Sequence, residues 1–254
     1  MLLTIDIGNT NTVLGLYDGE SLVHSWRVKT DARSTADELH ALYRALLIDA
    51  PQISGISACS TVPAALRELR LMISNYWTGI PCVIVEPGVK TGVSVVTDNP
   101  KEVGSDRIVN TLAAFHQFGG PCIVVDFGTS TNIDVVSDKG EFLGGALAPG
   151  VEISLDALAS RAAQLRTVEL TRPRAAIGKN TVEALQSGLL FGFAGQVDGL
   201  VTRIIAELGG SVAAVVATGG LASFIVPESS TITHHEPELT LNGLRLLFDR
   251  VQAQ

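Results

Sequence analysis

Two segments of the chain share one pattern of residues that is suited to binding phosphate. The first spans residues 2–20 and the second spans residues 122–141. In each, an apolar strand ends in Asp-x-Gly, at Asp6 and Gly8 or at Asp126 and Gly128, before small hydroxyl and amide residues and a second apolar strand. Amides and hydroxyls in a tight glycine turn can donate to phosphate oxygens. The carboxylate would repel phosphate unless a cation lay between them, and hard cations prefer oxygen ligands.

The repetition decides how this pattern is interpreted. One isolated copy would most simply be an ordinary hairpin with a Gly/Asn/Thr turn. Two copies in corresponding positions indicate an internal duplication. Two such hairpins facing each other would clamp one polyphosphate and its cation from both sides. The pattern therefore predicts a nucleotide-dependent phosphotransferase.

A second group of chemically capable residues lies between the two copies, in residues 99–107. Proline and glycine mark a loop there, and residues 108–118 have a helical pattern, so Ser105 or Asp106 should start a helix. Asp106 could simply cap that helix, which is worth roughly 1 kcal/mol. It could equally accept a proton from a hydroxyl, while Arg107 pairs with an anionic group on the same acceptor. The residues alone leave both interpretations open.

Composition narrows the class of protein. The chain has 254 residues, of which 46% are hydrophobic and 17% charged, as expected for buried strands covered by helices. Its net charge of -8 argues against nucleic acid as a partner. We expect no membrane-length apolar run and find no basic leader, which predicts a cytoplasmic protein without a membrane partner. Three cysteines lie in apolar strand-like segments and are predicted to be core residues: Cys59, Cys82 and Cys122.

The pattern of elements predicts two mixed α/β lobes. Three strands are followed by alternating helices and strands, including a helix opened by a capping box at Thr35 and Glu38, and the pattern restarts at Cys122. A break at residues 119–121 divides the chain into predicted domains 1–118 and 119–254. The helical stretch at residues 180–208 is rich in apolar residues and glycine. It is either a subunit interface or a helix buried between the lobes.

The order and spacing of seven short phrases resemble the type III pantothenate kinase family over essentially the whole chain. That family belongs to the superfamily of acetate and sugar kinases, Hsp70 and actin. The resemblance implies two duplicated ribonuclease-H-like lobes of the actin-like ATPase superfamily, with mixed sheets flanked by helices. The phrases, in order, are Asp6 to Thr10, Pro87 to Gly92, Asn99 to Arg107, Asp126 to Thr129, Gly144 to Gly150, Gly178 to Thr181 and Thr218 to Gly220.

The resemblance also implies an activity and a role for each phrase. The activity is ATP-dependent phosphorylation of pantothenate to 4'-phosphopantothenate, the first step of coenzyme A biosynthesis, with magnesium arriving on ATP. Asp126 would hold a monovalent cation, K⁺ or NH₄⁺, and Asp106 would be the general base. Thr181 would reach the pantothenate site of the neighbouring subunit in a homodimer. Pantothenate would also contact Gly104, Ser105, Asp106 and Arg107, and ATP would contact Asp6, Ile7, Gly8, Asn9, Thr10, Asn11, Thr12, Val13 and Thr129.

Three departures from the family pattern lie close to these positions. Ser105 stands where the family commonly has Ala, Asn132 where it often has Thr, and Thr97 where many members have Tyr. Two alternative functions follow from the same scaffold. One is a kinase of another small hydroxylated acid. The other is a regulatory paralogue that binds a nucleotide and a metabolite without turnover, against which the retained Asp6, Asp106, Arg107 and Asp126 argue.

Overall fold

A computed structural model describes residues 1–86, 88–161 and 168–253 of the protein. Pro87, within one of the seven phrases, lies outside the described residues. The chain forms two compact units. Unit 1 comprises Met1–Val93, Asp98–Ala113 and Leu239–Gln254, and unit 2 comprises Ser94–Thr97 and Ala114–Glu238. The division into domains 1–118 and 119–254 stays a prediction.

The elements follow the predicted order. The strands are β1 Leu2–Ile7, β2 Asn11–Asp18, β3 Ser21–Lys29, β4 Gly55–Ser60, β5 Cys82–Ile84, β6 Cys122–Phe127, β7 Ser130–Val136, β8 Phe142–Pro149, β9 Ala214–Thr218 and β10 His234–His235. The helices are α1 Ala36–Leu46, α2 Pro63–Tyr76, α3 Ser105–Phe118, α4 Val151–Arg161, α5 Thr181–Glu207, α6 Ala222–Ile225 and α7 Leu239–Gln252. Single turns of 3₁₀ helix occur at Pro100–Glu102 and Val226–Glu228.

Each unit is built on a five-stranded sheet, and the two sheets have the same topology. The first has the order β3-β2-β1-β4-β5 and the second the order β8-β7-β6-β9-β10. In both, the first three strands in sequence are antiparallel neighbours, and the last two are added parallel to the central strand. The repeated Asp-x-Gly pattern thus falls at the ends of β1 and β6, which are equivalent central strands. The predicted duplication is confirmed.

Side-chain alternation along β1 decides which face each residue occupies. Leu3, Ile5 and Ile7 are buried in a core cluster with residues of α1 and α2, such as Tyr43 and Leu69. Successive residues of a strand point to opposite faces, so Asp6 lies on the other face of the sheet. That face is covered by α3 and α7, whose buried residues include Val109 and Leu244. The helix that carries Asp106 therefore packs on the same face as Asp6.

Unit 2 follows the same logic around β6. Ile123, Val125 and Phe127 are buried in a cluster shared with α4, α5 and α6, so Asp126 lies on the opposite face. The buried side of α5 contributes five residues to that cluster: Leu189, Leu190, Ala194, Val197 and Val201. Three glycines of α5 have open space where a side chain would be: Gly188, Gly192 and Gly195.

Two expectations are corrected by the structure. Cys59 and Cys122 are buried, but Cys82 is exposed, because β5 is the short edge strand of its sheet. The expectation that no apolar run is long enough to cross a membrane is also wrong. Over an 18-residue window, α5 is long and apolar enough to cross a membrane, with 28% of that window buried. Core helices of soluble proteins reach the same length and hydropathy, and α5 supplies five residues to a core cluster.

Candidate active site

The turns that follow the two Asp-x-Gly sequences are called the first and second phosphate loops here, after their predicted role. The first is a four-residue turn between β1 and β2. Ile7 pairs with Thr12, so residues 8–11 form the turn, and the amide of Gly8 donates to the carbonyl of Asn11 at 3.0 Å. A Cβ atom on Gly8 would lie 3.1 Å from that carbonyl, which favours glycine there. Asn9 and Thr10 are exposed at the tip. The turn therefore presents polar groups to solvent while its own backbone is held by the hairpin.

Thr30, the residue that follows β3, anchors this loop. The carbonyl of Thr10 accepts from the amide of Thr30 at 3.0 Å, and the hydroxyls of Thr12 and Thr30 are 2.9 Å apart. Thr12 is buried. The loop backbone is thus held by the hairpin at Gly8 and by Thr30 at Thr10. A rigid backbone of this kind is suited to binding phosphate.

The second phosphate loop is one residue shorter. Phe127 pairs with Thr131, which leaves residues 128–130 in the turn, and the amide of Gly128 donates to the carbonyl of Ser130 at 3.0 Å. The carbonyl of Thr129 accepts from the amide of Gly150 at 3.1 Å. A Cβ atom on Gly150 would lie 2.4 Å from the same carbonyl, so only glycine fits. Thr129, which the sequence predicts to contact the nucleotide, is exposed at the tip of this turn.

Asp126 lies among neutral oxygen groups on adjacent strands. Its cross-strand neighbours are Asn132 on β7 and Thr218 on β9, and both are buried. The hydroxyl of Ser130 donates to Asn132 Oδ1 at 3.0 Å. A Cβ atom on Gly219 would lie 2.4 Å from Asp126 Oδ1, so this glycine makes room for the carboxylate. Asn132, one of the departures from the family pattern, is therefore part of the surroundings of Asp126.

This set of groups fits a hard cation of low charge. One carboxylate with amide and hydroxyl oxygens beside it offers the ligands that such cations prefer. Within residues 1–86, 88–161 and 168–253, no three His, Cys, Asp or Glu side chains are grouped as they would be to hold a metal ion. The predicted cation site would thus consist of Asp126 and neutral oxygens.

Asp6 has different neighbours. Its cross-strand partners are Val13 on β2 and Cys59 on β4, and the thiol of Cys59 donates to Asp6 Oδ1 at 3.3 Å. Removal from water, together with the negative charge of Asp106, raises the pKa of Asp6 to about 7. The thiol and Arg27 oppose that rise. The structure therefore brings Asp6 and Asp106, both predicted from sequence, into one electrostatically coupled group.

Asp106 lies in the first turn of α3. The helix begins at Ser105, so Asp106 follows the helix start and does not precede it as an N-cap would. The hydroxyl of Ser105 donates to the carbonyl of Ser60 at 3.2 Å, which ties the start of α3 to the end of β4. A Cβ atom on Gly104 would lie 2.5 Å from Asp106 Oδ1. Gly104 is thus required for the observed position of the carboxylate.

The carboxylate of Asp106 has acceptor capacity that the described parts of the chain do not use. Its Oδ1 atom is buried and has no hydrogen-bond partner among them. Burial raises the pKa of Asp106, whereas the backbone amide and positive charge of Arg107 oppose the rise. A buried acceptor without a partner costs free energy unless a ligand or water supplies a donor. The geometry is suited to receiving a hydroxyl group.

The remaining predicted substrate residues are found at helix starts. Arg107 follows Asp106 in α3 and is half-buried. Thr181 is the first residue of α5 and is exposed. The preceding Asn180 caps α5, because its side chain accepts from the amide of Glu183 at 2.9 Å. Thr181 is therefore held at a defined, accessible helix end.

Two residues near the site were not assigned a role from sequence. Cys59 was interpreted as a core residue, and Thr218 was only part of a family phrase. Both are identified by strand register, which pairs Asp6 with Cys59 and Asp126 with Thr218. The sequence shows that β4 and β9 are apolar strands with a polar residue near their ends. It does not show which residues of β1 and β6 pair with them, and that pairing is what identifies Cys59 and Thr218.

Comparisons with known proteins agree with this architecture. Two sheets of one topology, each with an Asp-x-Gly turn after its central strand, define the actin-like ATPase fold that sugar kinases share. ROK hexokinase from Thermus thermophilus has a TM-score of 0.56 with this chain at 17% identity, covering 98% of this chain and 99% of the hexokinase. The predicted fold class is confirmed.

Sequence relatives identify the family. Residues 2–203 match the family model described as type III pantothenate kinase. The type III pantothenate kinase of Parafrankia sp. (strain EAN1pec) is 67% identical over 250 residues, covering 98% of each chain. That of Salinispora arenicola (strain CNS-205) is 66% identical over 251 residues, covering 98% of this chain and 99% of the relative. The chain belongs to the type III pantothenate kinase family and is an enzyme of the kinase class.

Proposed function

We propose that this protein transfers the γ-phosphoryl group of ATP to the primary hydroxyl of pantothenate, as the first, cytoplasmic step of coenzyme A biosynthesis. The observation that carries the proposal is the buried Oδ1 of Asp106, an acceptor with no partner in the described ranges. The negative charge of Asp106 also acts on Asp6, at the base of the first phosphate loop, and raises its pKa. A hydroxyl donor would satisfy the Asp106 acceptor, and family membership supports pantothenate as the molecule that brings this hydroxyl.

Asp106 is proposed as the general base. It would accept the proton of the substrate hydroxyl as the phosphoryl group is transferred. Its burial raises its pKa, which makes it a stronger base than an exposed carboxylate. Positioning and charge neutralisation supply most of the catalysis in phosphoryl transfer. Gly104 and Ser105 hold the carboxylate and the helix start in place, and Arg107 would pair with the carboxylate of pantothenate.

The first phosphate loop is proposed to bind ATP. Its polar tip is exposed and its backbone is anchored at Gly8 and Thr10. Thr129 in the second loop is proposed as a further nucleotide contact, since its side chain is exposed while its carbonyl is fixed by Gly150. Magnesium would come bound to ATP. The proposed ATP residues remain Asp6, Ile7, Gly8, Asn9, Thr10, Asn11, Thr12, Val13 and Thr129.

Asp126 is proposed to hold K⁺ or NH₄⁺. When bound, such a cation would neutralise negative charge near the phosphates. Asn132 and Thr218 support the assignment because they add neutral oxygens beside the carboxylate. The alternative of a regulatory paralogue without turnover has no comparable support from these residues.

We also propose a homodimer formed through α5. The exposed glycines Gly188, Gly192 and Gly195 would allow a second helix to approach closely. Thr181, at the exposed start of the same helix, would then contribute to the partner's pantothenate site. Mixing two inactive variants, Asp106→Asn and Thr181→Glu, tests this: mixed dimers would regain activity at one intact site. No recovery in dimers shown to have exchanged subunits would contradict the shared site.

The function itself is tested with Asp106→Asn. Turnover with pantothenate should fall roughly 10²–10⁴-fold, the usual contribution of a general base, while MgATP binding measured by calorimetry is unchanged. Asp18→Asn is the matched control, because Asp18 is an exposed carboxylate at the end of β2. Full activity in Asp106→Asn would remove this residue from the mechanism. Activity of the wild type on another hydroxy acid, and none on pantothenate, would favour the alternative acceptor.

A further inference from the structure

Cys59 is a buried residue that contacts the proposed nucleotide site without being part of it. It lies on β4 directly beside Asp6 on β1, and its Sγ atom donates to Asp6 Oδ1 at 3.3 Å. Its own exposure is 0%. The thiol is enclosed by a cluster that includes Val109 of α3 and Leu244 of α7. The donor of this hydrogen bond is therefore held in place by packing.

The thiol of Cys59 acts as a hydrogen-bond donor to Asp6. Burial, together with the negative charges of Asp6 and Asp106, raises the pKa of Cys59 well above its ordinary value. A thiol that stays protonated is neither a nucleophile nor a metal ligand. It keeps its single proton and has a fixed acceptor within reach. A redox or covalent role is thereby disfavoured, and a positioning role remains.

The two strand neighbours of Asp6 are not equivalent. Val13 on β2 has an apolar side chain and cannot donate, whereas Cys59 on β4 can. The carboxylate of Asp6 can rotate about its side-chain bonds unless a hydrogen bond fixes it. Asp6 lies at the end of β1, two residues before Gly8. With ATP in the first phosphate loop as proposed above, the orientation of this carboxylate would affect what the phosphates and their cation meet.

We propose that Cys59 is a positioning residue for nucleotide binding, whose thiol fixes the orientation of the Asp6 carboxylate at the base of the first phosphate loop. This inference rests on the proposed function of that loop as the ATP site. It adds a residue on a different strand, 53 positions away in sequence, to the determinants of nucleotide affinity. The reacting hydroxyl and Asp106 should be affected much less.

The test compares Cys59→Ala and Cys59→Ser with the wild type, using calorimetry for MgATP and steady-state kinetics for both substrates. Removing the donor in Cys59→Ala should weaken MgATP binding and raise KM for ATP about 5- to 10-fold, while kcat changes less than about twofold. Cys59→Ser should restore affinity to within about twofold of the wild type, because a hydroxyl donates from nearly the same place. Cys122→Ala, which truncates a buried cysteine at the start of β6, is the matched control.

The outcomes separate a positioning role from simple packing. Loss of a thiol from a packed core would lower the unfolding temperature in Cys59→Ala and Cys122→Ala alike, without a selective effect on ATP. MgATP affinity unchanged in a folded Cys59→Ala variant would overturn the proposal, as would a Cys59→Ser variant as weak as Cys59→Ala. A wild-type protein that binds no MgATP would instead overturn the proposed function of the loop, so the two failures are distinguishable.

Discussion

Asp6 and Asp126 end equivalent central strands, yet their neighbours have opposite chemistry. Asp6 lies between Val13 and the thiol of Cys59, whereas Asp126 lies between Asn132 and Thr218. The duplication therefore supplies two carboxylates in the same local fold and two different environments. The neutral oxygens beside Asp126 suit the cation proposed for that site. Burial and the negative charge of Asp106 disfavour the ionised form of Asp6, which the thiol of Cys59 only partly offsets.

The first prediction concerns the stability of the ligand-free protein against pH. The folded-state pKa of Asp6 is raised to about 7, so this carboxyl favours folding when protonated. Its contribution is fully present below the ordinary pKa near 3.8 and is lost as the pH rises through about 7. Relative to Asp6→Asn, which cannot ionise, the wild type should lose roughly 2 kcal/mol between pH 4 and pH 8, after a discount for partial exposure.

Urea unfolding of both proteins across that range measures the difference. The charged groups that act on Asp6 are Asp106 and Arg27, and the thiol of Cys59 adds a hydrogen bond. All three residues are unchanged in the variant. Asp18→Asn controls for the loss of an exposed carboxylate. A stability difference between wild type and Asp6→Asn that does not vary with pH would show that Asp6 has an ordinary pKa.

The second prediction concerns Gly104. Alanine at this position would bring a Cβ atom within 2.5 Å of Asp106 Oδ1 and push the carboxylate away from its position. We expect Gly104→Ala to lower kcat roughly 10²-fold, as small displacements of catalytic groups do, with MgATP affinity retained. Steady-state kinetics and calorimetry on the same preparation measure both quantities. A variant with wild-type kcat would mean that the position of Asp106 is not critical.

The third prediction concerns the cation. Asp126→Asn removes the negative charge of the proposed site and should raise the K⁺ concentration needed for half-maximal activity at least about tenfold. Asn132→Leu, which removes the amide oxygen but leaves Asp126, should raise it by a smaller factor. Asp138→Asn, in the exposed turn after β7, is the charge control. Direct binding of Tl⁺, a spectroscopic substitute for K⁺, provides a second readout. An unchanged K⁺ requirement in Asp126→Asn would refute the assignment.

The fourth prediction concerns a structural carboxylate on α5. Asp198 accepts hydrogen bonds from the hydroxyls of Ser229, Ser230 and Thr231 at 2.6–2.7 Å and from two of their amides. Burial alone would raise its pKa, but these hydrogen bonds lower the pKa of Asp198 to about 2. Its stabilising effect is therefore present above about pH 4 and is lost as the pH falls through about 2.

Asp198→Ala should accordingly cost about 1–2 kcal/mol of unfolding free energy at pH 7, and the difference from wild type should shrink toward pH 2. Chemical denaturation at several pH values measures it. Asp156→Ala, which removes an exposed carboxylate of α4, is the control. A difference that stays constant down to pH 2 would mean that the ionised carboxylate is not what holds the 229–231 segment.

Local signals allowed much of this fold to be predicted. The capping box at Thr35 and Glu38 correctly predicted the start of α1, since both hydrogen bonds of the box are formed. The two Asp-x-Gly turns predicted the equivalent hairpins. A tight glycine turn between two apolar strands is a local feature that can be recognised within a few residues of sequence. Cys82 was misjudged because only strand order tells an edge strand from a central one.

Contacts of the site between segments that are far apart in the chain could not be predicted from the sequence. The hydrogen bond from Cys59 to Asp6 depends on the register of two parallel strands, which the sequence does not state. The position of Asp106 after the start of α3, and not before it, depends on where the helix begins relative to Gly104 and Ser60. Both features come from packing between segments that are far apart in the chain.

The most direct test of the central claim is an ADP-release assay with ATP, magnesium and pantothenate, run once in potassium and once in sodium alone. We predict pantothenate-dependent ADP release that potassium stimulates, together with formation of phosphorylated pantothenate detected by mass spectrometry. Absence of turnover in potassium, with MgATP binding intact by calorimetry, would contradict the claim that this protein phosphorylates pantothenate.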